Sequence, residues 1–308
     1  MADYENRGYR RVFGGDGMSV GLFFPITASS DAVPSMDDQL ERARLAADVG
    51  FDALWVRDVP LFWPTFGDAG QVYDPWVWLS HVAAGTEEIA LATGSVVLPL
   101  RHPLHVAKAA ASVDRLSDGR LVLGVASGDR MPEFAAFGVD ADERGRRFRD
   151  SVALLRRAWA EEFPNVDSPF GTLDGSLDVL PKPTTETLPL LVTGHARQEL
   201  AWIADRGDGW LFYQLPRDTL ESYLADWRDA TDEPKPFAQG LHVVLEDDPA
   251  AEMRHVHQGF AAGSEWFLEY FRDLQDLGVD HVAVNLRGND RPVETVIQTF
   301  ATEVLDRL

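Results

Sequence analysis

The sequence predicts an α/β fold, a (β/α)8 TIM barrel, because short apolar segments alternate with amphipathic helical segments along the whole chain. Such alternation is typical of repeated βα units around a parallel sheet. Eight units favour a closed barrel over an open sheet, and 308 residues are enough for one barrel. The predicted strands are residues 19–25, 53–56, 89–93, 121–125, 190–193, 209–213, 241–246 and 281–286.

Each predicted strand is followed by a predicted helix. In the first helix, residues 36–49, the side chains of Leu40, Ala43 and Ala47 fall on one face, and Gly50 ends the helix. In the second, Asp74 caps the N-terminus and proline occupies the first turn. The remaining helices are predicted at residues 103–116, 142–159, 197–206, 219–230, 264–277 and 292–305.

Residues 160–189 interrupt this alternation. Prolines and glycines are dense between residues 163 and 189, which disfavours a helix and indicates a hairpin insertion after the fourth βα unit, as a lid or rim element. We therefore expect a single domain over residues 1–308. It comprises an N-terminal extension at 1–17 and a barrel at 18–308 that contains the insertion.

The composition excludes several classes of protein. With 28 basic and 50 acidic residues, the chain has a formal net charge of −22, which disfavours nucleic-acid binding. The absence of cysteine excludes disulfides, thiolate metal sites and cysteine nucleophiles. Lysine occurs only at Lys108, Lys182 and Lys235. Strong acidity with few lysines favours a halophilic protein over a merely acidic one, because high salt screens self-repulsion.

Neither a membrane partner nor a metal is expected. No apolar run of about 18 residues could span a bilayer, and the N-terminal residues lack the apolar segment of a secretory signal. We therefore expect a cytoplasmic protein. The eight histidines are scattered, and His255 and His257 fall on different sides of a predicted helix, so their spacing predicts no metal site.

Small residues follow the third and fourth predicted strands, at the end of the sheet where parallel α/β proteins bind ligands. They are Gly94 and Ser95 after one strand, and Ser127, Gly128 and Asp129 after the next. Glycine and serine let backbone N–H groups approach a phosphate or a flat ring, because no bulky side chain stands in the way. We predict that these five residues contact a cofactor.

A four-residue turn follows the fifth predicted strand: Gly194, His195, Ala196 and Arg197. Placed at the start of a predicted helix, this turn offers free backbone N–H groups and the positive end of the helix dipole to an anion. The turn is the best predicted phosphate site. His195 and Arg197 either add side-chain donors or, in the case of the histidine, only cap the helix.

Charged residues follow the second and the last predicted strands. Arg57 and Asp58 end the second strand, where burial at the barrel mouth must be offset by a partner or a ligand. Arg287 follows the last strand, where it either faces substrate or pairs with Asp290.

Three motifs carry a resemblance to a known family: WVRDVP at residues 55–60, TGSVVLP at 93–99 and ASGDR at 126–130. They resemble the bacterial luciferase-like flavin monooxygenases, in a luciferase-type oxidoreductase subgroup that emits no light. The resemblance implies a TIM barrel and a cis peptide bond between Gly94 and Ser95. Asp58 matches the acid that luciferases carry at this place, so the resemblance implies that Arg57 and Asp58 are catalytic. Val59 departs from the family pattern, since luciferases have a catalytic histidine here.

The resemblance also implies a cofactor and partners. Reduced FMN, delivered by a flavin reductase, would react with oxygen on a small organic substrate in a homodimer. Since Ser127 stands where some luciferases have arginine, the phosphate cation is expected among Arg144, Arg146 and Arg147, and we choose Arg146. Two alternatives stay open: hydride transfer with coenzyme F-420, a deazaflavin, and non-catalytic flavin binding.

Overall fold

Thirteen strands and ten α-helices make up the computed structural model, which describes residues 5–70 and 72–308. The strands are β1 (Ser19–Phe23), β2 (Ala53–Val56), β3 (Ala90–Thr93), β4 (Val96–Val97), β5 (Leu121–Ala126), β6 (Asn165–Ser168), β7 (Gly171–Asp174), β8 (Leu190–Thr193), β9 (Gly209–Phe212), β10 (Phe237–Leu245), β11 (Arg254–Val256), β12 (Gly259–Ala262) and β13 (His281–Asn285). The helices are α1 (Arg7–Phe13), α2 (Gln39–Asp48), α3 (Pro75–Gly85), α4 (Pro103–Leu116), α5 (Met131–Ala136), α6 (Arg144–Ala160), α7 (Leu200–Arg206), α8 (Arg217–Ala230), α9 (Ser264–Leu277) and α10 (Val293–Glu303).

Eight parallel strands close into a barrel in the order β1-β2-β3-β5-β8-β9-β10-β13. Closure comes from the pairing of β13 with β1, in which Ser19 lies opposite His281. Outward-facing strand residues pack against the helices, while small inward-facing residues such as Ala53, Ala92 and Ala283 fill the interior. The predicted barrel is therefore confirmed.

Three predicted starts differ from the structure by three residues or more. Helix α2 begins at Gln39 rather than at residue 36. Helix α7 begins at Leu200 rather than at residue 197, because Ala196 and Arg197 adopt left-handed backbone conformations with φ of 47° and 61°. Strand β10 begins at Phe237, four residues before the predicted start. Its inward positions 238 and 240 are alanine and glycine, which hide the alternation typical of a strand.

The predicted helical setting of His255 and His257 is also wrong. His255 lies in strand β11, which pairs antiparallel with β12, and His257 follows in the turn. Strand β12 in turn pairs with the end of β10, with His242 opposite Gly259. This extension of the sheet depends on a strand distant in sequence, which local periodicity does not reveal.

The predicted hairpin insertion is confirmed as strands β6 and β7, an antiparallel pair outside the barrel sheet. Its tip reaches the N-terminal ends of two barrel helices. The Phe170 carbonyl lies 3.2 Å from Nε2 of His102, the N-cap of α4, and the guanidinium of Arg147 in α6 lies 5.1 Å from the Phe170 ring centroid. The insertion thus forms part of the rim.

The N-terminal extension contains helix α1, which closes the barrel at the N-terminal ends of the strands. Tyr9, Val12 and Phe13 are buried and belong to the same apolar cluster as the inward-facing barrel residues. The amide of Gly8 donates to the Gly119 carbonyl at 2.9 Å, and a Cβ at residue 8 would lie 2.2 Å from the Arg120 carbonyl oxygen. Helix α1 therefore packs so closely against the backbone of Arg120 that only glycine fits at position 8.

Each of the three lysines binds backbone carbonyls. Lys108 donates to the Leu180 carbonyl at 2.5 Å, Lys182 to two carbonyls and Asp178, and Lys235 to two carbonyls. Each lysine ammonium group therefore has backbone partners in the folded chain. None of the helices within the described residues is long and apolar enough to span a membrane.

Candidate active site

The barrel mouth, at the C-terminal ends of the strands, has an aromatic floor surrounded by glycines. Phe23 is half-buried at the end of β1, with its ring centroid 6.2 Å from that of Trp55 below it. A Cβ on Gly94 would lie 2.8 Å from Phe23 Cε1, and a Cβ on Gly240 would lie 3.6 Å from Phe23 Cε2. The ends of β1 and β3 and the middle of β10 thus meet around one flat ring.

The Gly94–Ser95 peptide bond is cis, as the resemblance implied. The Ser95 hydroxyl forms a hydrogen bond with the Thr193 hydroxyl, which links the ends of β3 and β8. Gly124 on β5 lies between them, where a Cβ would sit 1.9 Å from the Thr93 carbonyl oxygen. The small residues at this edge therefore set how closely the strand ends approach.

The loop after β5 brings Ser127, Gly128 and Asp129 to the rim. Ser127 is buried, Gly128 has a left-handed φ of 84°, and Asp129 is exposed. Burial and the charge of Asp129 both raise the pKa of Tyr213, which follows β9. The three predicted cofactor residues thus lie on the part of the rim next to β8 and β9.

The turn at residues 194–197 is not a helix N-terminus, because helix α7 begins three residues later at Leu200. Gly194 has a φ of 57° and open space at its Cβ position. The exposed His195 packs its ring against an outer aromatic layer, with centroids 5.7 Å from Trp210 and 5.8 Å from Phe212. The predicted dipole contribution is therefore absent. His195 and Arg197 are exposed, whereas Ala196 is buried and the Gly194 N–H donates to the Leu211 carbonyl at 2.8 Å.

Helix α6 lies against this turn. The side chain of Gln198 donates to the Gly145 carbonyl at 2.8 Å, and a Cβ on Gly145 would lie 2.8 Å from Arg197 Cβ. Arg146, the predicted phosphate cation, forms ion pairs with Glu143 and Asp150 and exposes 53% of its side chain. Its guanidinium is therefore occupied by acids of its own helical segment.

Asp58 is buried and fully engaged in an ion pair. Arg101 forms a bidentate pair with it, with Nε donating to Oδ2 at 2.8 Å and Nη2 donating to Oδ1 at 2.7 Å. Nη2 of Arg101 also donates to Asp74 at 3.1 Å. Burial lowers the pKa of Arg101, but the hydrogen bonds and charge of Asp58 outweigh it and raise the pKa. The sequence prediction missed Arg101, although it follows a barrel strand at the mouth.

Arg57 belongs to a separate network. Its Nη1 lies 3.0 Å from Asp68 Oδ2, and Arg130 holds the same carboxylate at 3.1 and 3.0 Å. Arg130 also binds Glu133 at 2.8 Å. The pKa of Arg57 is lowered, mainly by burial. The negative charge of Asp68 raises this pKa, whereas the positive charges of Arg287 and Arg130 lower it further. Arg57 and Asp58 are therefore neighbours in sequence with different partners.

Two further residues face the mouth. Arg287, after β13, donates to the carbonyls of Ser30 and Asp31 at 3.0 Å each, rather than pairing with Asp290 among the described residues. His242, on the inward side of β10, lies 3.1 Å from the His257 carbonyl and 2.5 Å from the Arg287 carbonyl. The sequence prediction missed His242, although this residue lies within the predicted strand 241–246. Within the described ranges, no group of three or more histidine or acidic side chains is arranged to hold a metal.

Comparisons with known proteins match this architecture. Residues 18–303 match the family described as luciferase-like monooxygenase. An uncharacterized protein of Mycobacterium tuberculosis is 34% identical over 192 residues, which cover 57% of this chain and 67% of that protein. An F420-dependent glucose-6-phosphate dehydrogenase of Beutenbergia cavernae is 38% identical over 137 residues, 43% of this chain and 40% of that enzyme.

A solved structure shares the fold over nearly its whole length. The monooxygenase RslO1 from Streptomyces bottropensis superposes with a TM-score of 0.78 at 21% identity, covering 94% of this chain and 99% of that one. The barrel and the family match over residues 18–303 lead to one conclusion. This chain belongs to the luciferase-like monooxygenase family of oxidoreductases, and its relatives include both monooxygenases and F420-dependent dehydrogenases.

Proposed function

We propose that this protein is a monooxygenase that uses reduced FMN and oxygen on a small organic substrate, with a flavin reductase supplying the cofactor. The observation that carries the proposal is the barrel mouth, where Gly94 and Gly240 surround the flat ring of Phe23. A planar tricyclic ring fits above such a floor, because no side chain rises from either glycine. Bound there, reduced FMN would supply the electrons that activate oxygen.

The residues around the floor fit the rest of the cofactor. Ser95 would contact the ring, Ser127 and Asp129 would line the ribityl chain, and the turn at Gly194 would receive the phosphate. Residues 194, 196 and 197 have positive φ, a backbone conformation that suits anion binding. The phosphate would bind at residues 195–197, because the Gly194 N–H already donates to the Leu211 carbonyl at 2.8 Å. The protein would orient the ring and exclude water from it.

Hydride transfer with coenzyme F420 is the second candidate, favoured by the dehydrogenase of Beutenbergia cavernae. Oxidation of an alcohol requires a base that accepts the hydroxyl proton. Valine occupies position 59, and Asp58 is held by Arg101 with both oxygens. The neighbourhood of residues 57–59 therefore offers no free base, which favours oxygenation.

Binding titrations test the proposal. Purified protein in molar salt is titrated with FMN, reduced FMN and coenzyme F420, and so are Ser95→Trp and Gly194→Asp variants. Gly50→Asp is the matched control, since Gly50 also has positive φ and open space but lies at the opposite end of the barrel. Preference for reduced FMN, lost in the two site variants only, supports the proposal.

The other outcomes are equally informative. Tighter binding of coenzyme F420 than of reduced FMN would favour hydride transfer as the function. If FMN, reduced FMN and F420 all fail to bind, a flavin-type function is refuted. Turnover of reduced FMN with oxygen and candidate substrates then separates an enzyme from a flavin-binding protein.

The proposal includes a homodimer. Helix α3 presents an apolar surface, with Val77 69% exposed and Tyr73 just before the helix 48% exposed. Apolar side chains grouped in this way are typical of protein–protein contacts. Sedimentation measurements on wild type and Val77→Asp should show a dimer that the substitution weakens.

A further inference from the structure

A cleft of about 350 Å³ lies between helices α8 and α9, outside the ring of barrel strands. Its lining residues come from the loop after β9, from both helices, and from strands β11 and β12 with Met253 just before them. These residues differ from those of the proposed cofactor site. The volume is within the range of pockets that bind small molecules.

The cleft exists because strand β10 is longer than its neighbour β9. The two strands pair only from Phe237 to Gln239 of β10, and the remainder of β10 pairs with β12 instead. This extension brings β12 against α9, where the Phe260 ring lies 4.9 Å from Trp266 and 5.1 Å from Tyr270 between centroids. Helix α8 follows the shorter strand, and the cleft lies where α8 meets this extension.

The walls of the cleft are mainly apolar. The rings of Trp266 and Tyr270 are stacked, with 5.0 Å between centroids and 12° between planes, and the Phe260 ring is tilted or edge-on to both. Leucine side chains of the two helices complete the apolar lining: Leu220, Leu274 and Leu277.

The charges of two lining residues cancel. Arg217, in the first turn of α8, forms an ion pair with Asp273 of α9 across the cleft. A charged ligand would compete with this pair or bring an unpaired charge against apolar walls, which costs free energy. The lining therefore favours a neutral ligand.

Two lining residues, Tyr270 and Gln214, supply polar groups. A third amide lies behind them: Gln239 is fully buried on the outward side of β10, since its neighbour Ala238 belongs to the barrel interior. Burial raises the pKa of Tyr270, and the amides of Gln239 and Gln214 oppose this. Among the described residues, neither polar atom of Gln239 forms a hydrogen bond of good geometry. The inner part of an otherwise apolar cleft thus has polar groups for one polar group of a ligand.

We propose that this cleft is a binding site for a neutral aromatic molecule that carries one hydroxyl or carbonyl group. Its ring would pack against Phe260, Trp266 and the leucines, because aromatic rings favour offset and edge-on contacts. Its polar group would form a hydrogen bond with the Tyr270 hydroxyl. The site lies apart from the barrel mouth, so the proposal does not rest on the proposed function.

Equilibrium dialysis with 1-naphthol at pH 7, where this probe is neutral, tests the site. Wild type should bind one 1-naphthol per chain. Tyr270→Phe removes the hydroxyl and should weaken binding about fivefold, the factor expected for one hydrogen bond. Anionic 1-naphthoate, which has a ring of the same size, should bind more weakly than 1-naphthol.

A matched pair of substitutions locates the bound probe. Met253→Trp introduces a larger side chain at the cleft and should weaken binding about tenfold or more. Met131→Trp is the control, because Met131 is 40% exposed, like Met253 at 37%, but lies on α5 near the barrel mouth. Ser95→Trp, inside the mouth, should also bind 1-naphthol like wild type.

Three results would overturn the assignment. The first is the absence of saturable 1-naphthol binding. The second is wild-type affinity in Met253→Trp or in Tyr270→Phe. The third is a loss of binding in Met131→Trp or Ser95→Trp that equals the loss in Met253→Trp, because the probe would then bind in the barrel mouth.

Discussion

His281 should make the stability of this protein depend on pH in a way that one substitution removes. Its ring is fully buried in the barrel, where Trp55 Nε1 donates to Nε2 at 2.9 Å. The proton therefore lies on Nδ1, which faces the Ser19 hydroxyl at 2.6 Å, and that hydroxyl donates to the Val12 carbonyl of helix α1. A second proton on Nε2 would point at the indole N–H.

The magnitude follows from the pKa. Burial lowers the pKa of His281 from 6.5 to about 3. Below pH 6.5 His281 therefore binds a proton in the unfolded chain but stays neutral in the folded protein. The free energy of unfolding therefore decreases as pH falls from 6.5 toward 3. Proton linkage with these two pKa values gives a loss of about 2 kcal/mol in the free energy of unfolding between pH 7 and pH 5.

The assay compares urea unfolding of wild type and His281→Gln at pH 7, 6 and 5. Other titrating groups are common to both proteins, so the difference between the two pH profiles isolates His281. Wild type should lose about 2 kcal/mol more than the variant between pH 7 and pH 5. His105→Gln, which changes an exposed histidine, should follow wild type. Parallel profiles for wild type and His281→Gln would refute the reasoning.

Three further predictions concern stability. Gly8→Ala places a Cβ 2.2 Å from a backbone carbonyl oxygen and should lower Tm by about 3 °C or more, whereas Gly15→Ala, with nothing within 4 Å, should leave Tm unchanged in calorimetry. Asp58→Asn leaves the Arg101 guanidinium without its buried carboxylate partner and should lower the free energy of unfolding in urea by about 3 kcal/mol. An unchanged urea midpoint would contradict this, and Arg146→Gln serves as the control that should leave the midpoint unchanged. Tm should rise between 0.1 M and 2 M KCl if the surface is adapted to salt, and a flat response would exclude a halophilic protein.

The sequence predicted the architecture well where local signals are strong. Strands such as β2 and β8 were placed to the residue, because apolar runs bounded by charged or glycine-rich segments leave little ambiguity. Helix α4 was also placed to the residue, between Pro103 and Leu116. The approximate position of the ligand-binding edge followed from the fold class, since barrels bind ligands at the C-terminal ends of strands.

Partners in space could not be predicted in the same way. Asp58 and Arg101 are 43 residues apart and meet only because β2 and β3 pair, while Arg57 turns to Asp68 in its own loop. The sequence predicted a helix start at the turn after Gly194. Left-handed residues in this turn prevent a helix there, and α7 begins only at Leu200. Side-chain pairing and backbone handedness depend on contacts that periodicity does not encode.

The sequence by itself determined the barrel, the acidic surface, the absence of cysteine chemistry and the small residues at the strand ends. These properties are set by composition and by patterns local in the chain. Only the tertiary structure decided that helix α1 closes the barrel and that His281 is buried. The physical reason is closure, because joining β13 to β1 brings the two ends of the chain together and creates neighbours that neither end specifies alone.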